Sequence, residues 1–255
     1  MTPLARTADE LLAATERAID GRPSAEALPP GGTVPAVVAV RRGRTASAVA
    51  VAALLGFGAV LALVRAGRSQ AFDLALTVRI QARAHPMIAK AMTAASWPGF
   101  PPQSRLIAPT VMVGLWAARL RLEALAVLGG WGSALLSTGI KALMRRPRPI
   151  ADERLRVVIA PLGGSSFPSG HVLTYVGLYG TLAYLAGTLI RPARWRRTIV
   201  GCLLALIAAV GPSRIHQGHH WPTDVSASYL LGTAWVIVVT GAYRRRKARR
   251  VGARP

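Results

Sequence analysis

Charge-free runs alternate with short basic segments along most of this chain. Residues 45–64 are twenty positions without a charge, bounded by Arg44 and Arg65, and a membrane-spanning helix needs about twenty predominantly apolar residues. Further charge-free runs cover 106–118, 124–140, 157–190, 198–213 and 225–243. The run 157–190, interrupted only by His171, is too long for one span, and Pro161, Gly163, Gly164 and Pro168 make its first third a loop. The run 106–118 is short and needs Arg105 and Arg119 to extend toward the interfaces. Residues 66–103 suit an interfacial helix and a turn, because Arg79, Arg83 and Lys90 are followed by Pro98, Pro101 and Pro102. The pattern predicts an all-α integral membrane bundle of six transmembrane helices over residues 45–243.

Residues 1–44 read as a polar cytoplasmic extension, partly disordered. Thr7 and Glu10 form a capping box ahead of a short helix near 8–20. Pro23, Pro29, Pro30, Gly31 and Gly32 mark 21–35 as linker. No apolar core lies near the start, so no cleavable signal peptide is expected. Residues 244–255 form a basic tail. Composition agrees with a membrane chain: 52% hydrophobic and only 16% charged residues exclude a disordered chain and argue against an ordinary soluble domain, where charged residues run at about 25%. The net charge of +22 therefore sits in loops, whereas a nucleic-acid binder would spread it over a polar surface. The single cysteine, Cys202, lies in an apolar run, so no disulfide or thiolate metal site is expected.

The basic loops give an orientation. Arg41, Arg42 and Arg44 precede span one, Arg119 and Arg121 separate spans two and three, Arg191, Arg194, Arg196 and Arg197 separate four and five, and Arg244 to Lys247 follow span six. With six spans these clusters share one side, which the positive-inside rule makes cytoplasmic, with both termini inside. Loops 65–103, 144–170 and 214–222 then face out. Loop 144–170 breaks the rule, because it holds Arg145, Arg146, Arg148, Arg154 and Arg156. Binding an anion would account for them.

Four of the five histidines fall in two windows, His171 and His216/His219/His220, with Asp224 the only acid after Glu153. All lie at the outer ends of spans four to six, and ionisable groups at such positions point to function. In Pro168-Ser169-Gly170-His171 the proline starts a helix and leaves the amides of Ser169, Gly170 and His171 free for an anion. A plain loop-to-helix entry satisfies the tetrapeptide equally well. In the second window His220 stands just before span six and Asp224 one turn inside it. A carboxylate on one ring nitrogen fixes the tautomer and frees the other lone pair for attack. An interfacial ion pair and a metal site are the alternatives, the metal disfavoured by the shortage of carboxylates and thiolates. Lys141 at the outer end of span three, one of only three lysines against 29 arginines, and Arg148 complete the set. Their plain alternative is a basic cluster meeting lipid headgroups.

Taken together, Lys141-x6-Arg148-Pro149, Pro168-Ser169-Gly170-His171 and Ser213-Arg214-x5-His220-x3-Asp224 resemble the three ordered motifs of the type 2 phosphatidic acid phosphatase superfamily, the membrane lipid phosphate phosphatases. The resemblance implies a metal-independent hydrolase without cofactor. It makes His220 the nucleophile that forms a phosphohistidine, Asp224 its orienting partner and His171 the general acid. Lys141, Arg148, Ser169, Gly170 and Arg214 would hold the phosphoryl oxygens. His216 and His219 are expected at the mouth of the site or capping the helix end. Arg145 and Arg146 are expected to attract the anion, Trp221 to anchor at the interface, and Phe167 to meet a lipid chain or pack internally.

The expected function is removal of phosphate from a lipid phosphate or diphosphate at the extracytoplasmic face of the cell membrane. Undecaprenyl diphosphate, phosphatidic acid and phosphatidylglycerol phosphate are the candidate substrates. The partners are then the lipid substrate and membrane lipids, with no nucleic acid. The competing readings are a phosphotransferase, a non-catalytic anion transporter, and a vanadate haloperoxidase, which the six spans disfavour.

Overall fold

A computed structural model describes residues 36–82, 85–149, 154–156 and 163–252; the helix and linker expected within 1–35 lie outside them. The chain divides into two compact units, 1–46 and 47–255. The described part of the first, 36–46, is helical. Among the described residues regular structure is wholly helical: α1 (Ala36–Arg65), α2 (Gln70–Gln81), α3 (Pro86–Ser96), a 3-10 turn (Trp97–Gly99), α4 (Gln103–Ala117), α5 (Arg121–Trp131), α6 (Ser133–Met144), α7 (Gly170–Leu189), α8 (Ala193–His216) and α9 (Pro222–Gly252).

Four stretches, Gly43–Arg65, Gly170–Leu189, Ala193–His216 and Pro222–Arg250, are long and apolar enough to cross a membrane. They coincide with expected spans one, four, five and six. The second expected span is helical as α4 but has 15 residues. The third is broken at Gly132 into α5 and α6, of 11 and 12 residues. The cause is local. The Trp235 indole of α9 takes the Gly129 carbonyl at 2.8 Å, and Leu135 N–H turns to the Gly132 carbonyl at 3.0 Å, a three-residue step. Residues 66–103, expected as an interfacial helix and a turn, hold two helices and the 3-10 turn. His85 caps α3, its Nδ1 accepting from Met87 N–H at 3.2 Å ahead of Pro86.

Helix α7 is the centre of the bundle, packed against α5, α6, α8 and α9. Its apolar positions are buried on all sides, including Val172, Leu173, Tyr175, Val176 and Leu178, as expected of a helix enclosed by others. Small residues permit the close approach. A Cβ on Gly130 would stand 2.5 Å from the Gly177 carbonyl, and one on Gly177 would stand 2.2 Å from Ser133 Oγ. Only glycine fits at that α5–α7 crossing, the device by which apolar helices pack when burial from water is not the driving force.

The end of α8 that carries Arg214 is set by a proline. Pro212 lies inside the helix and lacks the N–H that would bond the Ala208 carbonyl. Tyr229 of α9 repairs the break. Its hydroxyl donates to the Ile207 carbonyl at 2.7 Å, lies 3.2 Å from the Ala208 carbonyl, and accepts from Gly211 N–H at 3.0 Å. Replacing Tyr229 with Phe leaves these groups without partners and should cost about 1–3 kcal/mol. A lowered unfolding midpoint in detergent is the expected result, with helical content unchanged.

Candidate functional site

Motif residues from three separate segments meet where α6 ends, α7 and α9 begin, and α8 gives way to the turn at 217–221. His220 lies in that turn, 1% exposed. Its Nδ1 is 2.8 Å from the Ser166 carbonyl and 3.6 Å from Asp224 Oδ2, while its Nε2 is 3.4 Å from an Arg148 guanidinium nitrogen. A carbonyl only accepts, so Nδ1 carries the proton and Nε2 keeps its lone pair. The expected direct carboxylate–imidazole bond is thus replaced by a main-chain carbonyl, with Asp224 behind it. Burial holds the His220 ring well below the usual histidine range, and the charges of Arg214, Arg148 and Lys141 add to the effect. The ring is therefore neutral at pH 7, and these three cations surround it closely enough to act on it.

Asp224 is buried and fully engaged. Oδ1 accepts from Arg146 at 2.5 Å and Oδ2 from Trp221 N–H at 2.9 Å. Arg146 also reaches Asp73 Oδ2 on α2 at 2.6 Å, and Asp73 accepts from Thr223 N–H at 2.9 Å and Thr223 Oγ at 2.8 Å. Arg146, expected to attract an anion, is therefore committed to two carboxylates. Asp73 is 1% exposed and caps α9 from a distant part of the chain. Motif reading missed it. The available signal was a carboxylate between two apolar residues, Phe72 and Leu74, in a chain with only ten acids. With both carboxylates already bonded to cations and N–H or O–H donors, the donor set suits an anion and offers a divalent metal little.

Arg148 donates to the carbonyls of His219 at 2.7 Å, Gly163 at 3.3 Å and Ser165 at 3.3 Å. Among the described residues its charge thus meets neutral oxygens and forms no ion pair with a carboxylate. Arg214 is fully buried; it donates to Gln217 Oε1 at 2.7 Å, to Ser96 Oγ at 3.3 Å and to His219 Nδ1, and stacks over Phe100 at 5.0 Å. Its Nε–H has no hydrogen-bond partner. His219 is accordingly buried against Arg214 and does not line the mouth, while its N–H caps the Arg214 carbonyl at 3.1 Å. His216 is buried too, its carbonyl accepting from Gln81 at 3.1 Å. Ser213 ties α8 to α3, its Oγ 2.6 Å from Ser96 Oγ.

At the start of α7, Ser169 is the N-cap and Gly170 the first helical residue. Pro168 precedes the cap and does not occupy the first turn. Ser169 N–H points to the Asp224 carbonyl at 3.4 Å, so the amides left over by helix geometry are those from Gly170 onward. Ser169 Oγ and His171 Nε2 are buried without hydrogen-bond partners. The His171 ring lies edge-on to Phe100, centroids 4.8 Å apart, and a Cβ on Gly99 would stand 2.3 Å from it. Lys141 Nζ would be 3.5 Å from a Cβ on Gly170, which places the ammonium over the first turn of α7. Lys141, Gly170 and His171 open on a cavity of about 280 Å³ whose other walls include Ile107, Trp131 and Leu178. Phe167 is fully buried and packs 6.2 Å from Phe57 of α1. Trp221 donates to the Pro147 carbonyl at 3.0 Å and lies over Arg146.

The PAP2 superfamily profile matches residues 121–248, half of the chain. The chain belongs to the PAP2 superfamily. The matched residues run from before Lys141 to beyond Asp224 and leave Asp73 outside. This PAP2 member is 32% identical over 111 residues to phosphatidylglycerophosphatase B of Bacillus subtilis (strain 168), an alignment that takes in 42% of the chain and 55% of that protein. The chain thus spans about half the length of the curated relative it matches. Its fold is similar to the crystal structure of the first transmembrane PAP2 type phosphatidylglycerolphosphate phosphatase from Bacillus subtilis, with TM-score 0.66 and 24% identity, covering 77% of this chain and 96% of that one. It is also similar to Aquifex aeolicus LpxE, with TM-score 0.53 and 21% identity over 67% and 95% of the two chains. At these identities the likeness carries the fold.

The Asp73–Arg146–Asp224 ladder predicts a particular pair of phenotypes in this PAP2 chain. Asp73→Ala should destabilise by about 3 kcal/mol, because it leaves a buried guanidinium half-paired. Asp73→Asn keeps an acceptor for the Thr223 amide and should recover part of the loss. Thermal unfolding of the purified variants measures both, and an unchanged midpoint in Asp73→Ala would contradict the ladder.

Proposed function

We propose that this chain is an integral-membrane phosphatase that hydrolyses a lipid phosphate or diphosphate through a phosphohistidine on His220. The observation that carries the reading is the His220 ring itself, buried and neutral, with Nδ1–H on the Ser166 carbonyl and Nε2 beside Arg148, in a cluster with Lys141 and Arg214 that forms no ion pair among the described residues. Such a ring is a nucleophile poised for an anionic phosphorus.

In the first step Nε2 attacks phosphorus and the bond from phosphorus to the lipid oxygen breaks. His171 gives its proton to the departing oxygen. Lys141, Arg148, Arg214, Ser169 Oγ and the Gly170 amide hold the three phosphoryl oxygens, and positioning with charge stabilisation is most of what phosphoryl transfer requires. Asp224, fixed by Arg146, steadies the positive charge that the imidazole acquires. Water then attacks the phosphohistidine, His171 takes its proton, and inorganic phosphate and free His220 result. The buried Nε2 of His171, without a hydrogen-bond partner among the described residues and beside a cavity walled in part by Ile107, Trp131 and Leu178, suits a proton donor that meets the lipid end of the substrate.

The topology proposed from the basic loops is six spans over 45–243, α5 and α6 together making the third, with both termini cytoplasmic. The site would then face the extracytoplasmic side of the cell membrane. Its support is that Arg194, Arg196 and Arg197 at the start of α8 and Arg244 to Lys247 late in α9 lie at the helix ends remote from His220. The substrates to offer are undecaprenyl diphosphate, phosphatidic acid and phosphatidylglycerol phosphate; the name of the Bacillus subtilis relative favours the last.

Purified protein with EDTA present should release phosphate from at least one of these lipids, and His220→Ala should lower the rate by at least about 10³-fold. A folded wild type that releases none would remove hydrolysis and leave transfer to another acceptor. The pH dependence follows from the ring's environment. His220 attacks only when unprotonated, and its titration lies below the ordinary value of 6.5. The acid limb of kcat/KM should therefore fall below pH 6.5, and a limb centred above that value would show that the ring is not the buried, cation-surrounded group described here.

A further inference from the structure

A second cavity, of about 670 Å³, lies between the end of α1, the start of α2, the end of α6 and Trp221. Among the described residues five arginines line it, Arg65, Arg145, Arg146, Arg148 and Arg154, with one acid, Asp73. Asp73 is cancelled by Arg146, as described above. Arg148 meets only carbonyl oxygens and a histidine ring, and Arg65 and Arg145 have no ion pair among the described residues. Three of the five guanidinium groups, Arg65, Arg145 and Arg148, thus carry charge that no carboxylate among the described residues pairs, and guanidinium forks match the oxygens of a phosphate.

Arg145 adds a second, independent sign. It occupies the position that ends α6 in the left-handed region, at φ 44°, where glycine is the usual residue because a Cβ is disfavoured. An arginine is held there at a conformational cost, and its side chain lines the cavity.

The position of the cavity relative to the reaction centre limits what it can take. Arg148 lines it and also stands 3.4 Å from His220 Nε2, so one guanidinium separates the two places. His171 and Lys141 open on the other cavity, whose lining mixes Ile107, Trp131 and Leu178 with Ser104, Thr138 and Thr174. In-line displacement puts the leaving lipid opposite the nucleophile, on the His171 side. The arginine-lined cavity is off that path.

We propose that this cavity is a second oxyanion site that takes a phosphate group: free inorganic phosphate passing Arg148 as it leaves the reaction centre, or the headgroup phosphate of a bilayer lipid. The proposal deepens the phosphatase reading and rests on it for the first of these sources. Binding itself is testable without turnover. Equilibrium dialysis of the full chain in neutral detergent with radiolabelled inorganic phosphate should give two phosphates per chain, and one in the double variant Arg65→Gln/Arg145→Gly. Arg145→Gly relieves the left-handed strain, so the variant should unfold no earlier than wild type. Arg65→Gln alone should weaken the second binding event at least tenfold. Repeating the dialysis in nanodiscs containing phosphatidylglycerol separates the sources: a fall to one phosphate assigns the site to a lipid headgroup, and two phosphates assign it to the free ion. Equal stoichiometry in wild type and both variants would overturn the proposal. Absence of phosphate release from every lipid would instead overturn the phosphatase reading, which the dialysis result does not decide.

Discussion

A guanidinium held between two buried carboxylates is the interaction on which the rest of the site depends. Arg146 joins Asp73 on α2 to Asp224 on α9, and Asp73 in turn caps the first turn of α9 through Thr223. Burying ions is expensive unless each is paired and its remaining lone pairs are satisfied. Here both conditions are met, so the loop after α6, the start of α9 and the otherwise peripheral α2 are fixed together. The cation Arg148 lies two residues beyond Arg146, and the imidazole of His220 lies four residues before Asp224. The ladder therefore sets the distance between them.

The same ladder divides the positive charges into two kinds. Arg146 is neutralised inside the protein. Lys141, Arg148 and Arg214 act on His220, and the two arginines are held by carbonyls, a hydroxyl, an amide and rings. Neutral acceptors orient a cation without cancelling it, so charge remains for an oxyanion. Arg214 illustrates the construction: Gln217, Ser96, His219 and Phe100 hold the guanidinium, while its Nε–H is left without a partner. Excess charge of this kind would be a liability in a packed core. Its presence beside a neutral imidazole is the physical basis of the phosphatase reading.

Much of the helical plan follows from hydrophobic pattern. The runs 45–64, 198–213 and 225–243 lie within α1, α8 and α9, and the loop assigned to the first third of 157–190 gives way to α7 at Gly170. Length alone could not show that the run 124–140 breaks at Gly132, because the cause is an indole from α9 that takes a carbonyl of α5. Nor could local rules place Pro168 outside the helix, since the Asp224 carbonyl holds the next amide. Pro212 was visible as a helix breaker, but its repair by Tyr229 needs a residue 17 positions away in sequence, brought near by the α8–α9 turn.

The candidate site shows the same division. Residue types and ordered spacing singled out the candidate side chains, His220, His171, Asp224, Lys141, Arg148, Ser169, Gly170 and Arg214, because groups suited to nucleophilic, acid or phosphate-binding roles are identified by their own chemistry. Tertiary structure alone decided how each is used. It turned the His220 Nδ1–H onto the Ser166 carbonyl, made Arg146 a strut between two carboxylates in place of an anion attractor, drew Asp73 in as its counter-charge, and chose for His219 the helix end over the mouth. These outcomes depend on which donor meets which acceptor across elements far apart in sequence. A linear pattern records the groups that are available, and only packing determines which of them are left unpaired.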